Sequence, residues 1–153
     1  MSDKRILDII ASPADLKLLS NEELSILAGE IRHEIVTTTS KTGGHVASSL
    51  TVAIHRVFDT AHDRLVFDVG HQAYAHKLVT GRLKDFGTLR TYGGLSGFPK
   101  PRESEHDAFI AGHASNSVAV AVGMVQARAA LGQDYQVAAL IGDGALTGGL
   151  AYE

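Results

Sequence analysis

Residues 137–149 read VAALIGDGALTGG, and the order of residue types in this stretch decides the fold. A short apolar run suits a buried parallel strand; it breaks at Gly142-Asp143-Gly144 and resumes in small residues that can open a helix. That order sets one carboxylate, Asp143, at the carboxyl end of a strand. Open α/β sheets hold their ligands there, and N–H groups of the following helical turn can receive phosphate. Glycines on both sides let the backbone approach a ligand, and one carboxylate can hold one face of a magnesium ion whose other positions go to water and phosphate oxygens. Gly-Asp-Gly also serves as plain turn chemistry, so the triplet alone leaves both readings open.

The same design recurs upstream. Arg64 to Val69, RLVFDV, is a second strand candidate that runs straight into Gly70-His71-Gln72. AYAHKLVTG follows with helical propensity and stops at Thr80-Gly81. Two units of strand, glycine, polar residue and helix can aim both corners at one crevice, which predicts an α/β fold: a parallel sheet flanked by helices. Ahead of the Asp143 strand, Ala111-Gly112-His113-Ala114-Ser115 opens a helix over 115–131, with Ser115 or Ser117 as its cap and Gly132 as its end. The valines and alanines of that helix leave little polarity on any side, which predicts burial against the sheet. Tyr135 to Ile141 is then the strand that leads to Asp143.

Toward the amino terminus, Ser12-Pro13 is placed to cap a short turn through Asp15. Ser20 and Glu23 have capping-box spacing, and Leu24, Leu27, Ile31 and Ile35 follow at helical intervals, predicting a helix over 21–38 with His33 exposed. A polar, glycine-rich connection from Thr38 to His45 comes next, where His45 either lines a site or finishes a turn. Leu50, Ile54, Val57 and Phe58 predict a short helix ending near Asp59-Thr60, with His55 and His62 at the surface. His76 and Lys77 are expected to be solvated. Residues 86–111 hold Gly87, Gly93, Gly94, Gly97, Pro99 and Pro101 before a charged run, a long loop that reads as a lid or as mobile surface.

Bulk properties narrow the function classes. A chain of 153 residues is about one domain with one core. Its net charge of −3 and lack of a basic stripe argue against nucleic acid or an anionic membrane as partner. With no cysteine, disulfides and thiolate metal sites are excluded, which fits a reducing compartment. The opening MSDKRILDIIASPADLKLL reads as a poor secretory signal, and no run reaches the roughly 18 apolar residues of a membrane span. A cytoplasmic location is the expectation.

Taken together, GGHVASSL at 43–50, FDVGHQAYAHKLVTGR at 67–82, GGLSGFP at 93–99, GHASNS at 112–117 and GDGALTGGLAYE at 142–153 closely resemble the 1-deoxy-D-xylulose-5-phosphate synthase family. These are transketolase-like enzymes that use thiamine diphosphate. The GDG motif is shared with other thiamine enzymes, whereas DVGHQAY joined to GGLSGFP points to the synthases. The resemblance implies decarboxylation of pyruvate and condensation of the two-carbon unit with glyceraldehyde 3-phosphate, giving 1-deoxy-D-xylulose 5-phosphate, a precursor of isoprenoids, thiamine and pyridoxal. It also implies thiamine diphosphate and Mg2+ as cofactors and a homodimer as the working form. By the same resemblance His71 contacts the cofactor, Gly112, His113 and Ala114 lie along it, Asp143 binds the magnesium, and Gly144 and Ala145 meet the diphosphate. His45 matches a histidine near the reacting end of the cofactor, so His45 and His71 are the expected catalytic positions.

The chain also departs from the family. Leu50 meets Thr51 directly where the family carries about five further residues, a loss that is not a whole number of helical turns and so puts the position of His45 in question. Ala75 stands where a proline is common and His106 where a tyrosine is common. A further metal-binding asparagine, and the later domains with the glutamate that activates the cofactor, would lie past Glu153. The expectation is therefore a piece of the synthase that alone neither binds cofactor tightly nor turns over. In that reading residues 1–19 are an amino-terminal arm and 20–153 a partial diphosphate-binding domain with the long loop 86–111. Two alternatives stay open: a split transketolase-like subunit completed by a partner chain, and an inactive truncated α/β module with only an interaction role.

Overall fold

The computed structural model describes residues 4–42, 49–70 and 72–153. They form two compact units, residues 1–59 with 71–97 and residues 60–70 with 98–153.

The first unit is helical. Pro13–Leu16 (α1) starts at the expected cap, Ser12, and the contact proves to be a capping box, with Ser12 N–H donating to Asp15 Oδ2 at 2.9 Å. Asn21–Thr42 (α2) opens with the second one: Glu23 N–H donates to Ser20 Oγ at 3.2 Å and Ser20 N–H to Glu23 Oε2 at 2.8 Å. These bonds satisfy N–H groups that a helix start would leave without partners. Leu27, Ile31 and Ile35 are buried along one stripe of α2, and they pack with Leu7, Leu16, Tyr74, Leu78 and Phe86 into one core. Each such side chain contributes roughly 1.5–3 kcal/mol by leaving water. The Glu30 carboxylate accepts the Leu7 N–H at 2.8 Å and the Ile6 N–H at 3.2 Å, tying the first turn to α2.

Several expectations for this unit are corrected. Helix α2 continues to Thr42, so Thr38 to Thr42 are helical rather than part of a connection. Ser49–Val57 (α3) carries Leu50 and Thr51 in one helix, yet it buries Thr51, Val52 and His55 while Leu50 and Val57 face solvent. His55 is not a surface residue, nor are His76 and Lys77 of Ala73–Lys77 (α4) solvated: all three are 0 % exposed. For the histidines the reason is mutual satisfaction. His55 Nε2 and His76 Nδ1 are 2.8 Å apart and hydrogen-bonded, with the rings stacked at 4.9 Å between centroids, so each imidazole supplies a partner that water would otherwise provide. His33 and His62 are exposed, as expected.

The helix that begins as α4 continues through Val79 and breaks at Thr80-Gly81, the expected stop, where Thr80 leaves the helical region and Gly81 takes φ +84. Phe86 and Leu89 anchor residues 86–97 to this core, the Phe86 ring meeting Tyr74 edge-on at 6.4 Å, while residues 90–94 are exposed.

The second unit contains the sheet. Arg64–Phe67 (β1) and Val137–Leu140 (β2) pair in parallel, Arg64 with Val137 through Phe67 with Leu140. Parallel neighbours need a crossover, and Ser117–Leu131 (α5) supplies it, packing on both strands. Gly132 ends α5 in the left-handed conformation at φ 63, as its position foretold. The fold is α/β with a small parallel sheet and helices, as expected. Full burial of α5 is not observed: Ser117 is its one buried residue, and Val122 is 52 % exposed, because a two-stranded sheet covers one face of the helix only. Residues 98–111 hold turns closed by the buried Asp107, whose Oδ2 accepts the Lys100 N–H at 2.7 Å. Among the described residues no helix is long and apolar enough to cross a membrane.

Candidate functional site

The two parallel strands place two aspartates at neighbouring carboxyl ends. Asp68 follows β1, its N–H donating to Leu140 O at 2.8 Å, and Asp143 stands three residues past β2. Their environments are opposite. Asp143 is exposed at the start of the 3-10 turn Asp143–Thr147, and its Oδ1 accepts the Gly144 N–H at 2.9 Å. Asp68 is 0 % exposed and is surrounded by donors. Its Oδ1 accepts the Ser115 N–H at 2.9 Å; its Oδ2 accepts the Ser117 hydroxyl at 2.7 Å and the Ser117 N–H at 3.2 Å. Three donors supply this buried carboxylate with the hydrogen-bond partners that water would otherwise give.

Asp68 thereby caps α5 from another element. The residue before the helix, Asn116, makes no side-chain cap bond, so neither Ser115 nor Ser117 acts as the cap expected from spacing. Ser115 has another task. It is buried with φ +70, and its hydroxyl donates to the Ala145 carbonyl at 2.7 Å, joining the 112–115 loop to the turn after Asp143. On the other side the loop is tied to β1, with Val69 N–H donating to His113 O at 3.3 Å. Val69 itself has φ 61, an unfavourable conformation for a β-branched residue, and Gly70 has φ 101. A Cβ on Gly70 would come within 2.8 Å of Pro99 Cδ and 2.9 Å of Ala111 Cβ, so the chain can turn off β1 here only without a side chain.

Of the residues singled out by sequence, Gly112, His113, Ala114, Asp143, Gly144 and Ala145 come together in this unit. Gly112, His113, Ala114, Asp143 and Gly144 are exposed around the junction, and Ala145 is half-buried beneath it. His45 and His71 lie outside the described residues. Among the described residues no group of three or more His, Asp or Glu side chains is gathered in a way that could hold a metal. Asp68 and the Ser115 bond to Ala145 were missed by sequence reasoning. The available signal was the Asp-Val-Gly order closing the β1 run, which repeats the strand-then-carboxylate order of Asp143.

A sequence model of the 1-deoxy-D-xylulose-5-phosphate synthase family matches residues 7–153. The chain is 63 % identical over 151 residues to the 1-deoxy-D-xylulose-5-phosphate synthase of a Thermus thermophilus strain, covering 95 % of this chain and 25 % of that protein. It is 58 % identical over 154 residues to 1-deoxy-D-xylulose-5-phosphate synthase 2 of Geobacter sulfurreducens, covering 97 % of this chain and 25 % of that protein. A third relative, the synthase of Pelotomaculum thermopropionicum, is 53 % identical over 154 residues, with 97 % and 24 % covered. The chain thus spans about a quarter of the length of the curated relatives it matches.

Proposed function

The chain belongs to the 1-deoxy-D-xylulose-5-phosphate synthase family, and we propose that it is the cofactor-binding amino-terminal portion of an enzyme that makes 1-deoxy-D-xylulose 5-phosphate. The substrates in this reading are pyruvate, which is decarboxylated, and glyceraldehyde 3-phosphate, which receives the two-carbon unit. One observation carries it: the Gly112–Ser115 loop is bonded to the Asp143 turn at the carboxyl ends of adjacent parallel strands. That is where α/β sheets take phosphorylated ligands.

The donor chemistry fits thiamine diphosphate with Mg2+. Magnesium accepts one protein carboxylate and fills its other positions with water and phosphate oxygens, and Asp143 offers one exposed carboxylate beside a glycine-bounded turn. In this assignment Asp143 holds the metal, Gly144 and Ala145 lie at the diphosphate, and Gly112, His113 and Ala114 run along the cofactor. Thiamine diphosphate supplies carbanion-stabilising chemistry, and the protein supplies orientation and electrostatics. His71 contacts the cofactor, and His45 holds or moves a proton at the reacting end; a neutral imidazole can donate at one ring nitrogen and accept at the other.

The same reading makes residues 20–153 part of a diphosphate-binding domain preceded by an arm at 1–19, in a cytoplasmic homodimer. The exposed apolar side chains of α5, Val122 and Leu131 among them, support further protein surface being laid over this unit. Isothermal calorimetry on the longest form of the polypeptide tests the function. Thiamine diphosphate should bind only with Mg2+, and Asp143→Ala should abolish binding; equal binding by the variant removes Asp143 from the metal site and the reading with it.

A further inference from the structure

We propose that Ser115, held by Asp68, is a positioning residue that locks the 112–114 segment and the 143–145 turn into one preformed cradle; this rests on the reading above that both segments take the diphosphate end of the cofactor. A serine at φ +70 is in a conformation that glycine adopts without penalty, so its side chain is kept at a conformational cost. The hydroxyl makes the one bond a glycine could not, to Ala145 O at 2.7 Å.

The backbone N–H of Ser115 is also fixed, held at 2.9 Å by the fully buried Asp68 carboxylate, which is anchored in turn by Ser117 at 2.7 Å. Ala145 is tied back to Gly142, its N–H donating to Gly142 O at 3.0 Å, so orienting the Ala145 carbonyl orients the turn that contains Asp143 and Gly144. Gly148 leaves the space: a Cβ there would come within 2.7 Å of Ser115 Cβ and would push the hydroxyl off its acceptor. The chain from Asp68 to Ser115 to Ala145 therefore transmits position from the buried end of β1 to the exposed corner after β2. Neither Ser115 nor Asp68 touches the cofactor in this arrangement; they set the geometry of residues that do.

The test compares Ser115→Gly, Gly148→Ala and the unaltered protein in the longest form of the polypeptide, reading the thiamine diphosphate Kd at saturating Mg2+ and the thermal midpoint without ligand. Ser115→Gly relieves the φ strain while losing one hydrogen bond, so its ligand-free midpoint should stay within about 2 °C of the parent. Its Kd should nevertheless rise about tenfold, the worth of one lost hydrogen bond and the preorganisation it gave. Gly148→Ala should raise Kd by a similar factor from the other side of the latch. A purely structural serine would move midpoint and affinity together, so parallel changes overturn the proposal, as does an unchanged Kd in both variants. Should the unaltered protein fail to bind thiamine diphosphate with Mg2+, the functional reading fails and takes the latch with it. Binding by the unaltered protein and by both variants alike defeats the latch alone.

Discussion

The buried pair His55 and His76 lends itself to a quantitative test. Both rings are 0 % exposed and share one hydrogen bond of 2.8 Å between α3 and α4. Replacing His76 with leucine keeps roughly the same volume but takes away the partner of His55 Nε2, and a buried polar atom stripped of its partner costs about 1–3 kcal/mol. For a chain of this size that lowers the thermal midpoint by about 2–4 °C per kcal/mol. His55→Leu should cost a similar amount. The double variant removes both polar ends together, so it should be less damaging than the sum, by about 1 kcal/mol or more of coupling energy. Both rings make further contacts; those losses occur in the single and double variants alike and cancel in the cycle. Urea unfolding followed by circular dichroism at neutral pH supplies the four free energies. Additivity within about 0.3–0.5 kcal/mol would show that the two imidazoles do not support one another, and the account of their burial would be wrong.

Gly81→Ala combines a φ of +84 with a Cβ placed 2.8 Å from the Ala11 carbonyl oxygen, and should destabilise by more than about 1 kcal/mol in the same unfolding assay. Asp68→Ala deprives three donors of their acceptor and should cost about 3 kcal/mol or more, with faster hydrogen exchange at the Ser115 and Ser117 amides as the local signature. Asp143→Ala, by contrast, alters an exposed side chain and should shift stability by no more than about 0.5 kcal/mol, even where it removes metal-dependent ligand binding.

What could be read from residue order was local. The cap at Ser12, the capping box at Ser20, the Leu27-Ile31-Ile35 stripe, the Gly132 stop and the apolar runs of β1 and β2 each depend on neighbours a few positions away, and each is found in the fold. The six described corner residues named through the resemblance, five exposed and Ala145 half-buried, lie in one unit. Burial of charge and polarity was not legible. His55, His76 and Lys77 look like surface residues because histidine and lysine are costly to bury alone. The hydrogen bond that makes burial of the His55–His76 pair tolerable joins positions 21 apart in sequence. Asp68 escaped notice for the same reason: its donors come from 47 and 49 positions away. Helix α5 shows the opposite error, since an apolar composition all round states what the helix can bury, and the amount actually covered depends on how much sheet lies beneath it.

The pairing of β1 with β2 also bears on how the chain is made. The bond from Gln136 N–H to Asp63, at the entrance to the sheet, closes a separation of 73 residues. At a synthesis rate of about 5–20 residues per second, β1 leaves the ribosome roughly 4–15 s before its partner strand exists. For that interval Leu65, Val66 and Phe67 form an unpaired, apolar strand edge, a form of chain prone to stick to its neighbours. Arg64 and Asp68, the charges on either side of that run, then act as its gatekeepers, a duty they discharge well before any binding site has formed.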